Sequence, residues 1–166
     1  EVGYSTFPDT WDELQVASKK LKDKGHPVGF SLGRAIGDGN QFHYPLLWAF
    51  GGAECKQDGK TVAINSPETT KAVDYRRKLH QDGETEDVFA WDDAANNRAF
   101  LAGAVSITVN AASIYWAAKK DAPHLRTVTN HSFFPKGPAG RFGYSTAISL
   151  GIFRFSKSQK EAKAFI

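Results

Sequence analysis

The chain has 166 residues, 41% of them hydrophobic and 23% charged, which is the composition of one folded domain rather than a disordered tail. Lysine and arginine exceed the acids by 21 − 18 = 3, too slight an excess for a nucleic-acid partner, which leaves a basic stripe. No run approaches the roughly 18 apolar residues of a membrane helix. The opening residues also lack the basic, apolar, small-residue order of a signal peptide. The single cysteine, Cys55, excludes an internal disulfide and a cysteine-based zinc site, and reads as a buried, inert thiol. The chain holds no methionine and ends inside an apolar helical pattern, so both ends read as cuts in a longer protein.

Thr10 and Glu13 have capping-box spacing, and Leu14, Ala17 and Leu21 share a face, so residues 10–22 are expected to be a helix closed by Gly25. Residues 28–32 read as a buried strand and the glycine-rich 33–40 as a loop. An almost wholly apolar helix over 42–50 follows, with Pro45 in its first turn and Gly51 and Gly52 at its end. Asp58-Gly59 marks a hairpin over 55–64. Ser66-Pro67 opens a helix with Ala72, Tyr75 and Leu79 inward. Asp92 or Asp93 caps a helix running to Leu101, and 112–119 forms another. Residues 104–109 and 128–134 read as strands, 136–140 as a turn, 145–155 as a β-rich stretch, and Ser156 opens the last helix. The alternation predicts an α/β fold with helices packed on a mixed sheet.

Gly29, Ser31 and Gly33 match the G-x-S-x-G elbow of serine hydrolases, but a glycine-rich loop stands where that motif needs a helix. That leaves an enzyme using Ser31, with His131 as its base, as the weaker reading. The five histidines show no pair at i, i+4, and no Walker loop or G-x-G-x-x-G is present, so no metal and no cofactor are expected. What remains is a binding constellation. Aromatic residues are 13% of the chain, and sugar C–H faces stack on such rings while hydroxyls bond polar side chains. Three segments mix apolar walls with polar groups in the manner of ligand sites: 38–43, the Trp91–Asp93 turn, and 110–116. Trp48 and Trp116 also read as core aromatics, Trp48 the more so, whereas Trp91, before a cap and after an acidic loop, is harder to explain as core.

These stretches resemble the extracellular solute-binding proteins of ABC importers, in the group that mostly carries sugars. The resemblance rests on PDTWDEL at 8–14, YPLLWAFGG at 44–52, DGKTVAINSPET at 58–69 and WDDAANNRAF at 91–100. TVN at 108–110 with SIY at 113–115, and SKSQKEAKAF at 156–165, extend it in order along nearly the whole chain. It implies a two-lobed type II periplasmic binding protein that closes on ligand like a hinged clamp. Residues 1–142 then correspond to most of the C-terminal lobe, 143–155 to a hinge strand between lobes, and 156–166 to the start of a helix of the N-terminal lobe.

By the same resemblance, ligand contacts fall on Gly39, Asn40, Gln41 and His43, and on Asn110, Ser113 and Tyr115. Trp91 and Asp92 join them as candidates from the residue reading. Many relatives place a tryptophan just after the strand that ends at 109, where this chain has Ala111, Ala112 and Ser113. Either Tyr115 takes the stacking role or the ligand is smaller or less sugar-like; Arg34 and Arg141 would suit a phosphate. The implied partners are a sugar or polyol and a membrane permease, and the implied location is the periplasm or the cell exterior, the latter with a lipoprotein tether. A lobe standing alone would expose its cleft face and hinge strand and invite dimerisation.

Overall fold

A computed structural model describes residues 2–34, 36–146 and 149–166. The first helix, α1 (Trp11–Asp23), forms as expected: the Glu13 amide donates to Thr10 Oγ1 at 3.2 Å and the Thr10 amide to Glu13 Oε2 at 3.1 Å. The third, α3 (Pro67–Gly83), starts at the Ser66 cap, whose Oγ accepts from the Thr69 amide at 3.1 Å. The two helices pack closely because Gly83 lies against Ser18, where an added Cβ would fall 2.7 Å from the Ser18 Cβ. Tyr75 Oη donates to the Trp11 carbonyl at 2.5 Å and Gln15 Nε2 to Asp82 Oδ2 at 2.8 Å. The main core lies beneath this pair: Trp11, Leu14, Val28, Phe30, Phe42, Leu46, Tyr75 and Leu79.

The second helix, α2 (Ile36–Ala49), starts six residues before the expected position 42. The sequence 36–40 contains two glycines and reads as loop, yet it is helical because groups from outside the segment bond its first turn. Pro45 therefore sits in the helix interior and not in its first turn. The end is as expected: Gly51, at φ +89°, follows the last turn, and Gly52 and Gly51 amides reach the Leu47 and Trp48 carbonyls at 3.0 and 2.9 Å. The 55–64 hairpin forms around Asp58, whose carboxylate accepts from the Lys60 and Thr61 amides, with Cys55 paired to Val62. Cys55 is exposed there, not buried; a hairpin clear of the core leaves it nothing to pack against.

The expected mixed sheet is not formed among the described residues, which hold helices and isolated β-bridges only. Residues 27–32 and 105–109 do run side by side: the Ser106 amide donates to the Pro27 carbonyl at 2.8 Å and the Gly29 amide to the Ile107 carbonyl at 2.9 Å. In a regular parallel ladder one residue would make both bonds. Here Ser106 donates and Ile107 accepts, so the pairing is staggered by one residue and no ladder propagates. Residues 128–134 are likewise not a strand; Val128 and Phe133 are exposed, and a short helix, α6 (Pro123–Arg126), precedes them.

Between these lie η1 (Glu86–Phe89), α4 (Ala95–Leu101) and α5 (Ser113–Asp121). The 136–140 turn docks on the end of α2, the Ala139 amide donating to the Ala49 carbonyl at 2.9 Å. Beyond it, Tyr144 stacks on Tyr44 of α2 at 6.2 Å and 8°, and Tyr44 on Trp48 at 5.5 Å and 15°. Leu150, Phe153 and Phe155 are exposed, and the chain closes in α7 (Gln159–Phe165). Of the β-rich stretch expected over 145–155, Ala147 and Ile148 lie outside the described residues. No helix among those described is long and apolar enough to cross a membrane.

Candidate functional site

The candidate contacts fall into three places. Gly39, Asn40, Gln41 and His43 ride on the first two turns of α2. Asn40 and Gln41 are half-buried, and Pro45 lacks the N–H that would normally bond the Gln41 carbonyl. His43 is occupied within the protein. Its Nδ1 lies 2.6 Å from the Gly39 carbonyl, which can only accept, so Nδ1 carries the proton. Its Nε2 accepts from Arg76 Nε at 3.2 Å. Burial holds His43 below the ordinary histidine pKa, as the nearby Arg76 charge also does, although the Gly39 bond works the other way.

Arg76 belongs to a buried network that charge patterning did not reveal. Its Nη1 meets Glu84 Oε2 at 2.6 Å, with the two side chains 7% and 0% exposed. Its Nη2 donates to the Phe30 carbonyl at 3.0 Å, while the Phe30 amide donates to Glu84 Oε1 at 2.7 Å. The signal was present in the sequence: 72, 75, 76 and 79 form the inward stripe of α3, so the arginine stands on an apolar face.

The amino end of α2 also meets the turn before α4. Asp93 Oδ1 accepts from the Asp38 amide at 3.1 Å, and a Cβ on Gly37 would lie 3.0 Å from that oxygen. Asp93 thus caps α2 and not its own helix. Asp92 accepts from the Ala94 amide at 3.0 Å and from Arg98 Nη2 at 2.9 Å, which holds its carboxyl below the usual range, the Ala94 bond first. Burial, and then the Asp93 and Asp92 charges, push Asp38 up to about 6. Trp91 is 9% exposed and packs in a second core cluster with Val88, Ala95 and Val105. With Asp92, Arg34 and Phe89 it also borders a shallow recess.

The third place surrounds a pocket of about 230 Å³ between the main core and the 128–135 segment. Its walls include Phe30, Phe42, Ile107, Ile114 and Phe134, and its polar groups include Asn110, Asn130 and His131. Asn110 alone of the expected contacts lines it. Asn110 Nδ2 donates to Asn97 Oδ1, and Ser113 Oγ to Asn110 Oδ1 at 3.2 Å. Buried Asn96 fixes the same backbone by donating to the Val109 carbonyl at 2.9 Å. Tyr115 stands nearby, its hydroxyl 3.4 Å from Arg126 Nε and its ring edge-on to Trp116 and His131. Trp116 is 62% exposed and not core. The structure thus brings Asn110 and Ser113 together and leaves Gly39–Gln41 and Trp91–Asp92 apart from the pocket. Asn130 and Phe134 were missed because 128–134 reads as strand.

The hydrolase reading fails on geometry. Ser31 is 4% exposed and its Oγ has no hydrogen-bond partner, so neither substrate access nor a base is provided. Arg141 is tied to Asp9 and to the Phe134 carbonyl rather than held open for an anion. No group of three or more metal-ligating side chains occurs among the described residues.

A family profile described as a bacterial extracellular solute-binding protein matches residues 1–166. Among curated proteins none matches the chain. Of solved structures, maltose-bound MalE3 of T. maritima is 27% identical with TM-score 0.72, over 84% of this chain and 36% of that one. The GacH receptor of Streptomyces glaucescens, solved unliganded and with acarbose, is 22% identical with TM-score 0.73, over 96% and 41%. The cyclic alpha-maltosyl-1,6-maltose binding protein of Arthrobacter globiformis is 22% identical with TM-score 0.59, over 82% and 33%. The likeness identifies the periplasmic-binding-protein fold, and this chain spans well under half the length of each.

Proposed function

Because the chain belongs to the bacterial extracellular solute-binding protein family, we propose that it is the greater part of one lobe of the carbohydrate-capturing subunit of an ABC importer. The observation that carries this is the family match over the whole chain, joined to likeness with a maltose-bound protein at 27% identity. Residues 1–142 form most of the lobe, 143–155 the crossing to a second lobe, and 156–166 the beginning of that lobe. The pocket suits this division. At about 230 Å³ it falls below the roughly 300–1,000 Å³ of a complete ligand site, as one jaw of a clamp would.

In this reading Asn110, Ser113 and Tyr115 offer hydrogen bonds and a ring on one side of the cleft. Gly39, Asn40 and Gln41 offer backbone and amide groups on another. Capture proceeds by closure of a second lobe over these groups, and the closed form docks on a membrane permease. The protein works in the periplasm or, tethered as a lipoprotein, outside the cell. The chain on its own, with Leu150, Phe153 and Phe155 exposed, would self-associate.

Thermal unfolding of the intact protein against maltose, longer maltodextrins, monosaccharides and polyols tests the proposal. A ligand at about 100 times its Kd adds roughly 2.7 kcal/mol. A clear rise in Tm with one sugar class supports carbohydrate capture. Indifference to every sugar and polyol would overturn it.

A further inference from the structure

We infer that Asp93 and His43 are positioning residues: from outside the first turn of α2 they fix the backbone that carries Gly39, Asn40 and Gln41, and neither touches ligand. The inference rests on the proposal that those three residues face the sugar. The first turn of α2 needs such help. It reads Ile-Gly-Asp-Gly-Asn, and each glycine costs about 1 kcal/mol of helix propensity relative to alanine. The Asp38 amide is one of the early helix donors with no partner inside the helix.

Asp93 supplies that partner at 3.1 Å, and Gly37 rests against the same carboxylate. The turn carrying Asp93 is itself held: Trp91 is buried, and Asp92 is bonded to the Ala94 amide and to Arg98. On the opposite side the Gly39 carbonyl receives His43 Nδ1, and His43 leans on Arg76, which is anchored on Glu84 and on the Phe30 carbonyl. The turn is therefore gripped twice, once from each core cluster. Both nitrogens of His43 are spent in the grip, so the ring has no group left for a sugar hydroxyl.

The test compares Asp93→Ala with Asp93→Asn, and His43→Leu with His43→Asn, in the intact protein with maltose as probe. Asparagine at 93 keeps the accepting oxygen, and asparagine at 43 keeps a donor close to the Nδ1 position. Asp93→Ala is expected to speed hydrogen exchange of the Asp38 amide by about tenfold or more, as a bond to a charged acceptor is lost. It is also expected to raise the maltose Kd by about tenfold, while both asparagine variants stay within about twofold of wild type on the same scale. Equal Asp38 exchange in wild type and Asp93→Ala overturns the inference. So does a Tm drop in the alanine and leucine variants with maltose Kd unchanged. If wild type binds no sugar, the capture proposal fails, and the exchange comparison still decides whether the grip exists.

Discussion

Replacing Glu84 with alanine removes the acceptor at the centre of the Arg76 network. The Arg76 guanidinium then stays buried without its counter-charge, and the Phe30 amide loses the oxygen at 2.7 Å that it bonds. Breaking a buried ion pair by removing one partner costs about 3–5 kcal/mol. In a chain of this size each kcal/mol moves Tm by about 2–4 °C, so the expected fall is roughly 6–20 °C. Circular dichroism melts of wild type and Glu84→Ala measure it. A second comparison sharpens the reasoning. The double variant Arg76→Met with Glu84→Met leaves no stranded charge, so it should lose less than the sum of the single variants. It should not return to wild type, because both polar groups of Phe30 lose partners at about 1–3 kcal/mol each. A fall under about 3 °C for Glu84→Ala, or exact additivity in the cycle, would refute the claim that this pair is a coupled, desolvated unit.

His43 is held below its ordinary pKa of 6.5, so the unfolded chain takes up its proton first; the stability gained by keeping it neutral is present above pH 6.5 and falls away as pH drops through the depressed folded value. Urea unfolding at stepped pH should show that loss, reduced in His43→Asn. Asp38 has the opposite sign: with its pKa raised from 3.8 to about 6, its contribution is fully present below 3.8 and is lost as pH rises through 6. Asp38→Asn should therefore raise Tm at pH 7.5 and give little gain at pH 4, which paired melts would check. Gly33→Ala should destabilise by roughly 1–3 kcal/mol, since its Cβ would fall 2.4 Å from the Trp91 carbonyl oxygen, a backbone atom that cannot swing aside. Thr10→Ala should cost about 1 kcal/mol by loss of the α1 cap, read from chemical denaturation.

What was legible in the sequence was local. Thr10 with Glu13, Ser66 with Pro67, Asp58 with Gly59 and the paired glycines at 51–52 each carry their structural instruction within a few residues, and each is obeyed. What was not legible depends on partners far along the chain. Residues 36–40 read as loop because their helix-holding acceptor, Asp93, lies 55 positions from Asp38. His43 reads as a ligand group until Arg76 is seen to occupy its second nitrogen. Residues 28–32 and 104–109 read as strands; they do exchange backbone hydrogen bonds, but a one-residue stagger, invisible to any periodicity, keeps them from forming a ladder. Of the pocket lining, Asn110 coincides with a residue the resemblance names; the wall from 128 to 135 was hidden behind a misread strand.

The aromatic column on α2 has an optical consequence. Trp11 and Trp91 are buried, Trp116 is open to solvent, and Trp48 stands half-buried with Tyr44 stacked on its face and Phe142 edge-on at 6.5 Å. Trp48 Nε1 is also bonded to Glu54 Oε2 at 3.0 Å. With Trp116 changed to phenylalanine, Trp48 becomes the fluorophore whose surroundings depend on where residues 142–144 lie. Collisional quenchers would reach the half-buried ring more readily as that segment lifts. A crossing segment that swings when a sugar is captured would then announce its own movement in the emission spectrum, with no label attached.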